Sequence, residues 1–233
     1  MLGYRKMLEL IKKIKKLGYI KTHRPGNTGI GKTLEDLLGI KENNVPGPNG
    51  KMIELKSARK SATSMLTLFT KSPLPAKANT VLVDSVGYKV RSNRKELHTT
   101  LNARYYNKLK GKVGLKIGIR RNKIVIVDSK GKGYGYWDKE NLKTSFERKL
   151  PRIVYVKADS KGSGKNEEFW YNEAWLLNGF NFANFIKLLK QGVILVDVRI
   201  GQYPNGKAHD HGTGFRVSPK KLELCFTNRK RIV

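Results

Sequence analysis

Cysteine is almost absent from this chain: Cys225 stands alone, so no internal disulfide can form. Within Leu222-Glu223-Leu224-Cys225-Phe226 it reads as a core residue, not as a nucleophile. Long apolar runs are missing too. No segment approaches the roughly 20 residues a membrane-spanning helix needs, and Ile11 to Ile20 is broken by Lys12, Lys13, Lys15, Lys16 and Gly18, which leaves no signal-peptide core. The expected compartment is the cytoplasm. Acidic residues are the third shortage. Eighteen Asp and Glu face 48 Lys and Arg, a formal net charge of +30 spread from Arg5 to Arg231. A charge of this size opposes compactness by self-repulsion, and a polyanion, nucleic acid, is the partner that accounts for it. A membrane surface fits less well, because no long amphipathic helix sets Trp and Phe opposite a basic face.

The 233 residues, 39% of them hydrophobic, suffice for one large domain or two lobes. Met7, Leu8, Leu10, Ile11, Ile14 and Leu17 have helical spacing with lysines opposite, and Gly18 ends the run. A Pro-Gly loop covers 25–31, after which Thr33 is placed to cap a short helix through Leu38, stopped by Gly39. Strand patterns follow at 51–57, 64–70, 80–84, 113–119 and 123–128, the last two forming a hairpin across Arg120-Arg121-Asn122. Asp138 caps a helix to about Leu150. Strands at 152–158 and 167–171, a helix from Phe180 to Lys190 and an apolar strand from Val193 to Ile200 come next. Residues 201–214 read as a long loop, and 222–226 as a final short strand. This order is mixed α+β without regular βαβ alternation.

Gly26-Asn27-Thr28-Gly29-Ile30-Gly31-Lys32-Thr33 matches the phosphate-binding loop pattern, and Val193 to Asp197 could pass for the strand that ends in a Mg2+-binding Asp. Together they would indicate an NTPase. That fold needs a buried strand running straight into the loop, so that backbone N–H groups and a helix N-terminus wrap the phosphates. Here the preceding residues are Lys21-Thr22-His23-Arg24-Pro25, polar and ended by proline. The same glycines would let backbone approach a DNA phosphate, with Lys32 serving either reading.

In Pro48-Asn49-Gly50-Lys51-Met52-Ile53-Glu54-Leu55-Lys56, Glu54 and Lys56 lie two apart in a strand pattern and project from one face, while Ile53 and Leu55 make the other face apolar. Phosphodiester hydrolysis needs a metal to polarise the phosphoryl group and a cation to orient water and offset developing charge. Mg2+ takes oxygen ligands, commonly one or two carboxylates. Glu54 and Lys56 supply one carboxylate and the cation. A Glu-x-Lys triplet in so basic a chain also arises by chance on a solvated strand edge.

Several further blocks stand with this one: GNTGIGKTLEDLL at 26–38, IELK at 53–56, LTLFTKSP at 66–73, VDVRIGQY at 196–203 and HDHGTGFR at 209–216. In this order they resemble the MvaI and BcnI family of type II restriction endonucleases, relatives of the mismatch-repair nicking enzyme MutH. The resemblance is nearer MvaI, which implies recognition of CCWGG (W being A or T) over CCSGG. It implies a restriction-endonuclease-like α+β fold, with a mixed β-sheet core flanked by helices and two lobes around a DNA cleft. The expected arrangement is one bilobed domain over residues 1–233, with catalytic parts in about 1–130 plus C-terminal strands and recognition elements in about 131–233. It also implies a prokaryotic monomer that cuts double-stranded DNA with Mg2+, one strand after the other, beside a cognate DNA methyltransferase.

The resemblance places the PD…(D/E)xK core on Pro48, Asn49, Glu54 and Lys56: Glu54 and position 49 on the metal, Lys56 on the attacking water. Glu35 matches an additional acid that helps hold the metal or its water shell; the plainer alternative is an exposed helix carboxylate near Lys32. Asn49 departs from the pattern, which has Asp. An Asn carbonyl can ligate a metal but lacks the charge, and Asn49-Gly50 also suits a tight turn. Three accounts fit: a substitution made to trap uncut DNA, a weakly active natural variant, or a DNA-binding descendant without catalysis.

By the same resemblance His209, Asp210, His211 and Thr213, with Arg199 and Arg216, enter the major groove. Arg can bind guanine O6 and N7 together and Asp can accept from cytosine N4, which suits a CC/GG site. Thr70, Lys71 and Ser72 form a second contact segment, and Asn27 and Lys32 a third. A zinc site at His209-x-His211 lacks a nearby Cys or third His.

Overall fold

The computed structural model describes residues 4–40, 53–90, 94–109, 113–150 and 152–233. In chain order the elements are α1 (Tyr4–Lys16), β1 (Ile20–Lys21), α2 (Gly29–Leu37), β2 (Glu54–Arg59), β3 (Leu66–Thr70), α3 (Ala78–Val86), β4 (Tyr88–Lys89) and β5 (Lys95–Leu101). The hairpin strands β6 (Leu115–Ile119) and β7 (Lys123–Asp128) lead to β8 (Gly133–Asp138), α4 (Lys139–Lys149), β9 (Arg152–Lys161), β10 (Glu168–Asn178) and α5 (Phe182–Lys190). The chain closes with β11 (Ile194–Gln202), β12 (Ala208–Asp210), β13 (Gly214–Val217), a 3-10 turn at Pro219–Cys225, and β14 (Asn228–Arg231). Among the described residues no helix is long and apolar enough to cross a membrane.

The chain divides into two compact units. The first comprises Met1–Ser64, Glu147–Asn181 and Pro219–Val233. Its sheet runs β1-β10-β9-β2 with β14 also on β10; β2 and β9 are parallel and the remaining pairs antiparallel. Strand alternation turns Leu55 toward a core with Val154, Val156, Phe169 and Tyr171, where α1 contributes Met7, Ile11 and Ile14 and α2 contributes Ile30, Leu34 and Leu38. Glu54 and Lys56 therefore leave the other face of β2. Tyr171 Oη donates to the Ile30 carbonyl at 2.8 Å, which pins the start of α2 to the sheet.

The second unit comprises Met65–Phe146 and Phe182–Ser218. A six-stranded sheet, β3-β13-β11-β5-β4 with β12 also on β11, is accompanied by the three-stranded meander β6-β7-β8. Phe69, Phe146, Phe185 and Phe215 form its aromatic centre, Phe69 stacking on Phe215 at 5.0 Å, with Trp137 edge-on to Phe215 at 5.4 Å. Residues 65–128 cluster with 182–218, so these units do not follow a division near residue 130.

Several expectations are corrected. Thr33 is not a cap: α2 starts a turn earlier, with Thr28 at its N-cap, and the buried Thr33 Oγ1 accepts the His23 backbone N–H at 2.9 Å. Residues 80–84 are helical, within α3. Their β-branched residues suggested a strand, but the buried Ala78, Leu82, Val83 and Val86 have helical spacing. Residues 222–226 alternate in polarity, yet Leu224 is exposed while Leu222, Cys225 and Phe226 are buried, a three-residue repeat that matches the 3-10 turn through Cys225. Burial pushes the Cys225 thiol up to about 12, consistent with a core residue. The loop read at 201–214 contains β12 and the start of β13.

Candidate functional site

On the face of β2 turned away from α1 and α2, Glu54 is 4% exposed. Lys56 Nζ donates to its Oε1 at 2.8 Å, the side-by-side placement expected of residues two apart in a strand. The second oxygen, Oε2, is buried and has no hydrogen-bond partner. Lys149, in the last turn of α4, brings its Nζ to 3.9 Å from that oxygen, within ion-pair range and beyond hydrogen-bond reach. A buried carboxylate oxygen with open lone pairs is the donor a hard divalent cation takes, so this side of the residue set fits Mg2+. Asn49 and Pro48 lie outside the described residues.

Glu35 is half-buried in α2. It stands one turn after Gly31, where an added Cβ would lie 3.6 Å from Ser57 Oγ of β2, so it is on the helix side nearest Ser57, which alternation sets on the strand face opposite Glu54 and Lys56. The neighbouring Asp36 takes Lys32: its Nζ donates to Asp36 at 2.5 Å, and His23 Nδ1 is 2.9 Å from the other oxygen of Asp36. These two hydrogen bonds, from Lys32 and His23, hold the Asp36 carboxyl below its ordinary range.

The glycine loop before α2 is explained by its packing. A Cβ at Gly29 would meet the Arg24 carbonyl oxygen at 2.1 Å, and Gly26 has φ +86°. Arg59 Nε and Nη2 grip Glu167 at 2.6 Å each, and Nη2 also donates to the Gly26 carbonyl at 3.1 Å, tying the loop to the sheet. That bidentate bond to Glu167 raises the Arg59 pKa further. Asn27 is left exposed at the tip. The strand before this loop is the two-residue edge strand β1, Thr33 is sealed in the helix, and Asp197 belongs to the other unit. The NTPase reading has no phosphate cradle to stand on.

In the second unit, Asp197 of β11 is 1% exposed. Arg199 Nε donates to its Oδ2 at 2.8 Å and Thr100 Oγ1 to its Oδ1 at 3.1 Å. Arg216 Nε lies 2.9 Å from the same Oδ2, an ion pair whose N–H is off line for a hydrogen bond. Register explains the grouping: Leu195 pairs with Arg216 and Asp197 with Thr100, so alternation brings all four polar groups to one face. The expected Arg pair is thus brought together by Asp197, which lies in the VDVRIGQY block and to which sequence reading gave no part in recognition. The spacing Asp197-x-Arg199 repeats the two-residue logic of Glu54-x-Lys56 and was a usable signal. Lys149 carried none.

The segments at 70–72 and 209–213 also meet. Lys71 N–H donates to the Thr213 carbonyl at 3.0 Å, Trp137 Nε1 donates to the Lys71 carbonyl at 2.9 Å, and Thr70 pairs with Gly214. The Thr70, Lys71 and Ser72 side chains face solvent. Asp210 is engaged within the chain. Its Oδ1 accepts the Gly212 and Thr213 N–H groups at 2.9 and 2.6 Å, and its Oδ2 accepts Ser72 Oγ at 2.5 Å and Asn79 Nδ2 at 3.2 Å. All four lone-pair directions are used. Thr213 is similarly committed, buried with Oγ1 accepting the Arg199 N–H at 3.0 Å. His209 and His211 stand edge to face at 4.5 Å, with Tyr203 Oη 2.7 Å from His209 Nδ1 and His98 6.1 Å from His211. His209 is half-buried and His211 exposed.

Burial raises the Asp210 pKa, but the bonds from Ser72, Thr213 and Gly212 outweigh it and leave it lowered. A depressed folded value means the bonds stabilise the loop above the ordinary carboxylate range, and that stability is lost as pH falls through the lowered value. The Gly212 and Thr213 amides should therefore stay protected from exchange at neutral pH and lose protection only in strong acid. In Asp210→Ala they should exchange freely at every pH; unchanged protection would show the carboxylate to be dispensable.

A buried strand carboxylate with its lysine two residues on, on a mixed sheet with helices over the opposite face, is the arrangement that the (D/E)xK nuclease pattern calls for. Residues 8–226 match the MvaI/BcnI restriction endonuclease family, and the chain belongs to it. It is a type II restriction endonuclease, a site-specific deoxyribonuclease whose partner is DNA. Among solved structures it is similar to the restriction endonuclease MvaI in complex with its cognate DNA substrate, at 33% identity over 100% of both chains and a TM-score of 0.88. It is also similar to MvaI in the absence of DNA, at 34% identity over 100% of this chain and 99% of that one, TM-score 0.62. A comparison with curated protein sequences finds no match.

Proposed function

We propose that this chain recognises CCWGG in double-stranded DNA and hydrolyses it with Mg2+, using Glu54, Lys56 and Glu35, with position 49 as the remaining metal-side residue. The observation that carries the reading is Glu54, buried, with Lys56 on one oxygen and the other oxygen unsatisfied. Glu54 and position 49 would hold Mg2+, and Glu35 its water shell. Bound there, Mg2+ supplies Lewis-acid polarisation of the scissile phosphoryl group. Lys56 Nζ, held by Glu54, orients the attacking water and offsets negative charge as it develops on the phosphorus oxygens.

Recognition is assigned to Arg199 and Arg216. With their Nε atoms drawn to Asp197, the outer guanidinium nitrogens are the groups left for a bidentate contact to guanine. His209 and His211 present ring edges beside them. Lys71, and on the other unit Asn27, suit backbone phosphates, which position without reading sequence. Lys32 fits that task only by leaving Asp36. Asp210, Ser72 and Thr213 shape the loop. MvaI kinship further supports a monomer acting in a prokaryotic cytoplasm beside a methyltransferase that protects the same site.

Gel-shift competition among CCWGG, CCSGG and unrelated duplexes at fixed salt tests the sequence assignment. CCWGG should bind at least about fivefold tighter than CCSGG, since each mismatched pair costs roughly 1–3 kcal/mol. Equal binding to all three would overturn it. Asn49 favours a second reading, a specific DNA-binding protein that does not cut, which predicts the same competition result but no cleavage even when Asp is restored.

A further inference from the structure

Lys149 belongs to no block of the nuclease pattern, yet it is the second cation on the central carboxylate. Glu54 Oε1 is engaged by Lys56 at 2.8 Å, while Oε2 is buried, lacks a hydrogen bond and faces Lys149 Nζ at 3.9 Å. The lysine is 31% exposed and its partner 5%, so the charge reaches in from the rim of the site. At 3.9 Å the ammonium stabilises the carboxylate electrostatically without filling its lone pairs. Those lone pairs are the ones a divalent cation needs.

We infer that Lys149 is a positioning residue that acts as a tethered cation, sharing Glu54 Oε2 with the divalent metal and thereby setting the site's metal affinity. The inference rests on the proposed role of Glu54 as metal ligand. Before metal arrives, the ammonium offsets a buried charge that would otherwise be half compensated. When metal arrives, two positive charges compete for one oxygen, and the flexible lysine stem lets the ammonium swing outward. Lys56 stays on Oε1 when Lys149 is removed. A merely structural reading is available: Arg148 and Lys149 in the last turn of α4 oppose the helix dipole. That role would affect helix stability and leave metal binding alone.

The test is Mn2+ binding to the full chain, read by electron paramagnetic resonance of free Mn2+, in the parent and in an Asn49→Asp form, each with and without K149M and K149R. Removing a unit charge near a divalent ion should tighten Mn2+ binding about tenfold even under near-aqueous screening, while K149R keeps the parent affinity. In a Glu54→Gln background K149M should change nothing. Unchanged or weaker Mn2+ binding by folded K149M, or the same gain in the Glu54→Gln background, overturns the inference. Should K149M fail to fold, K149Q, which keeps the stem and a polar end, is read by the same criterion. If neither the parent nor the Asn49→Asp form binds Mn2+ at all, the metal-ligand reading of Glu54 fails first, and the inference with it.

Discussion

Restoring aspartate at position 49 should convert this chain into a far faster nuclease. With Mg2+ and a CCWGG duplex, the Asn49→Asp form is expected to cut on the order of a thousandfold faster than the parent. The estimate follows from the charge: one unit pair at about 4 Å is worth on the order of 4 kcal/mol at an effective dielectric near 20, and each ~1.4 kcal/mol off a barrier is a factor of ten. The proposed site draws on Glu54 of β2 and Glu35 of α2, and Glu54 shares its charge with two lysines. A divalent cation is therefore under-neutralised unless a third acid is supplied. Single-turnover cleavage at saturating protein isolates the chemical step from binding. A rate increase confined to CCWGG duplexes identifies the parent as an enzyme lacking one charge, whereas silence in both forms with retained specific binding identifies a DNA-binding descendant.

The second large effect lies in the other unit. Asp197→Ala should abolish discrimination between CCWGG and unrelated duplexes while leaving salt-sensitive non-specific binding nearly intact. Asp197 is 1% exposed and draws in both Arg199 and Arg216. Without it two guanidinium groups lose their common anchor, and Thr100 loses its acceptor. Removing one partner from a fully buried ion pair costs roughly 3–5 kcal/mol. Arg199 is 42% exposed and Arg216 21%, so solvent screens part of this, and about 2–3 kcal/mol is expected in a denaturant melt. Non-specific affinity survives because it comes from phosphate neutralisation by a chain of charge +30. Isotherms for the two duplexes over a salt series would show the specific curve collapsing onto the non-specific one. Retained preference would assign base reading elsewhere on the surface.

Much of the catalytic half could be read from the chain because it depends on local rules. A strand places Glu54 and Lys56 together whatever surrounds it, and the hairpin around Arg120-Arg121-Asn122 and the amphipathic α1 are equally local. Other parts were hidden by geometry that only the folded chain creates. Lys149 reaches Glu54 from 95 positions along the chain, with no pattern to announce it. Strands β5 and β8 were missed because residues such as Lys95, Glu96, Thr99 and the glycines of 133–135 lack a clean apolar alternation; their neighbours in the sheets fix them. Asp210 shows what residue type alone leaves out. Its residue type suits a cytosine amine, but four hydrogen bonds within the chain turn it inward. Asp197 was seen and given the wrong neighbours, since a strand ending in Asp says nothing about which arginines lie across the sheet.

The central claim is that Glu54 is the carboxylate through which this chain cuts DNA. Single-turnover cleavage of a CCWGG duplex in Mg2+ by the Asn49→Asp form, with and without Glu54→Gln, tests it most directly. The account predicts rapid, site-specific cutting by the first, and none by the second despite undiminished specific binding; equal rates from both would contradict it.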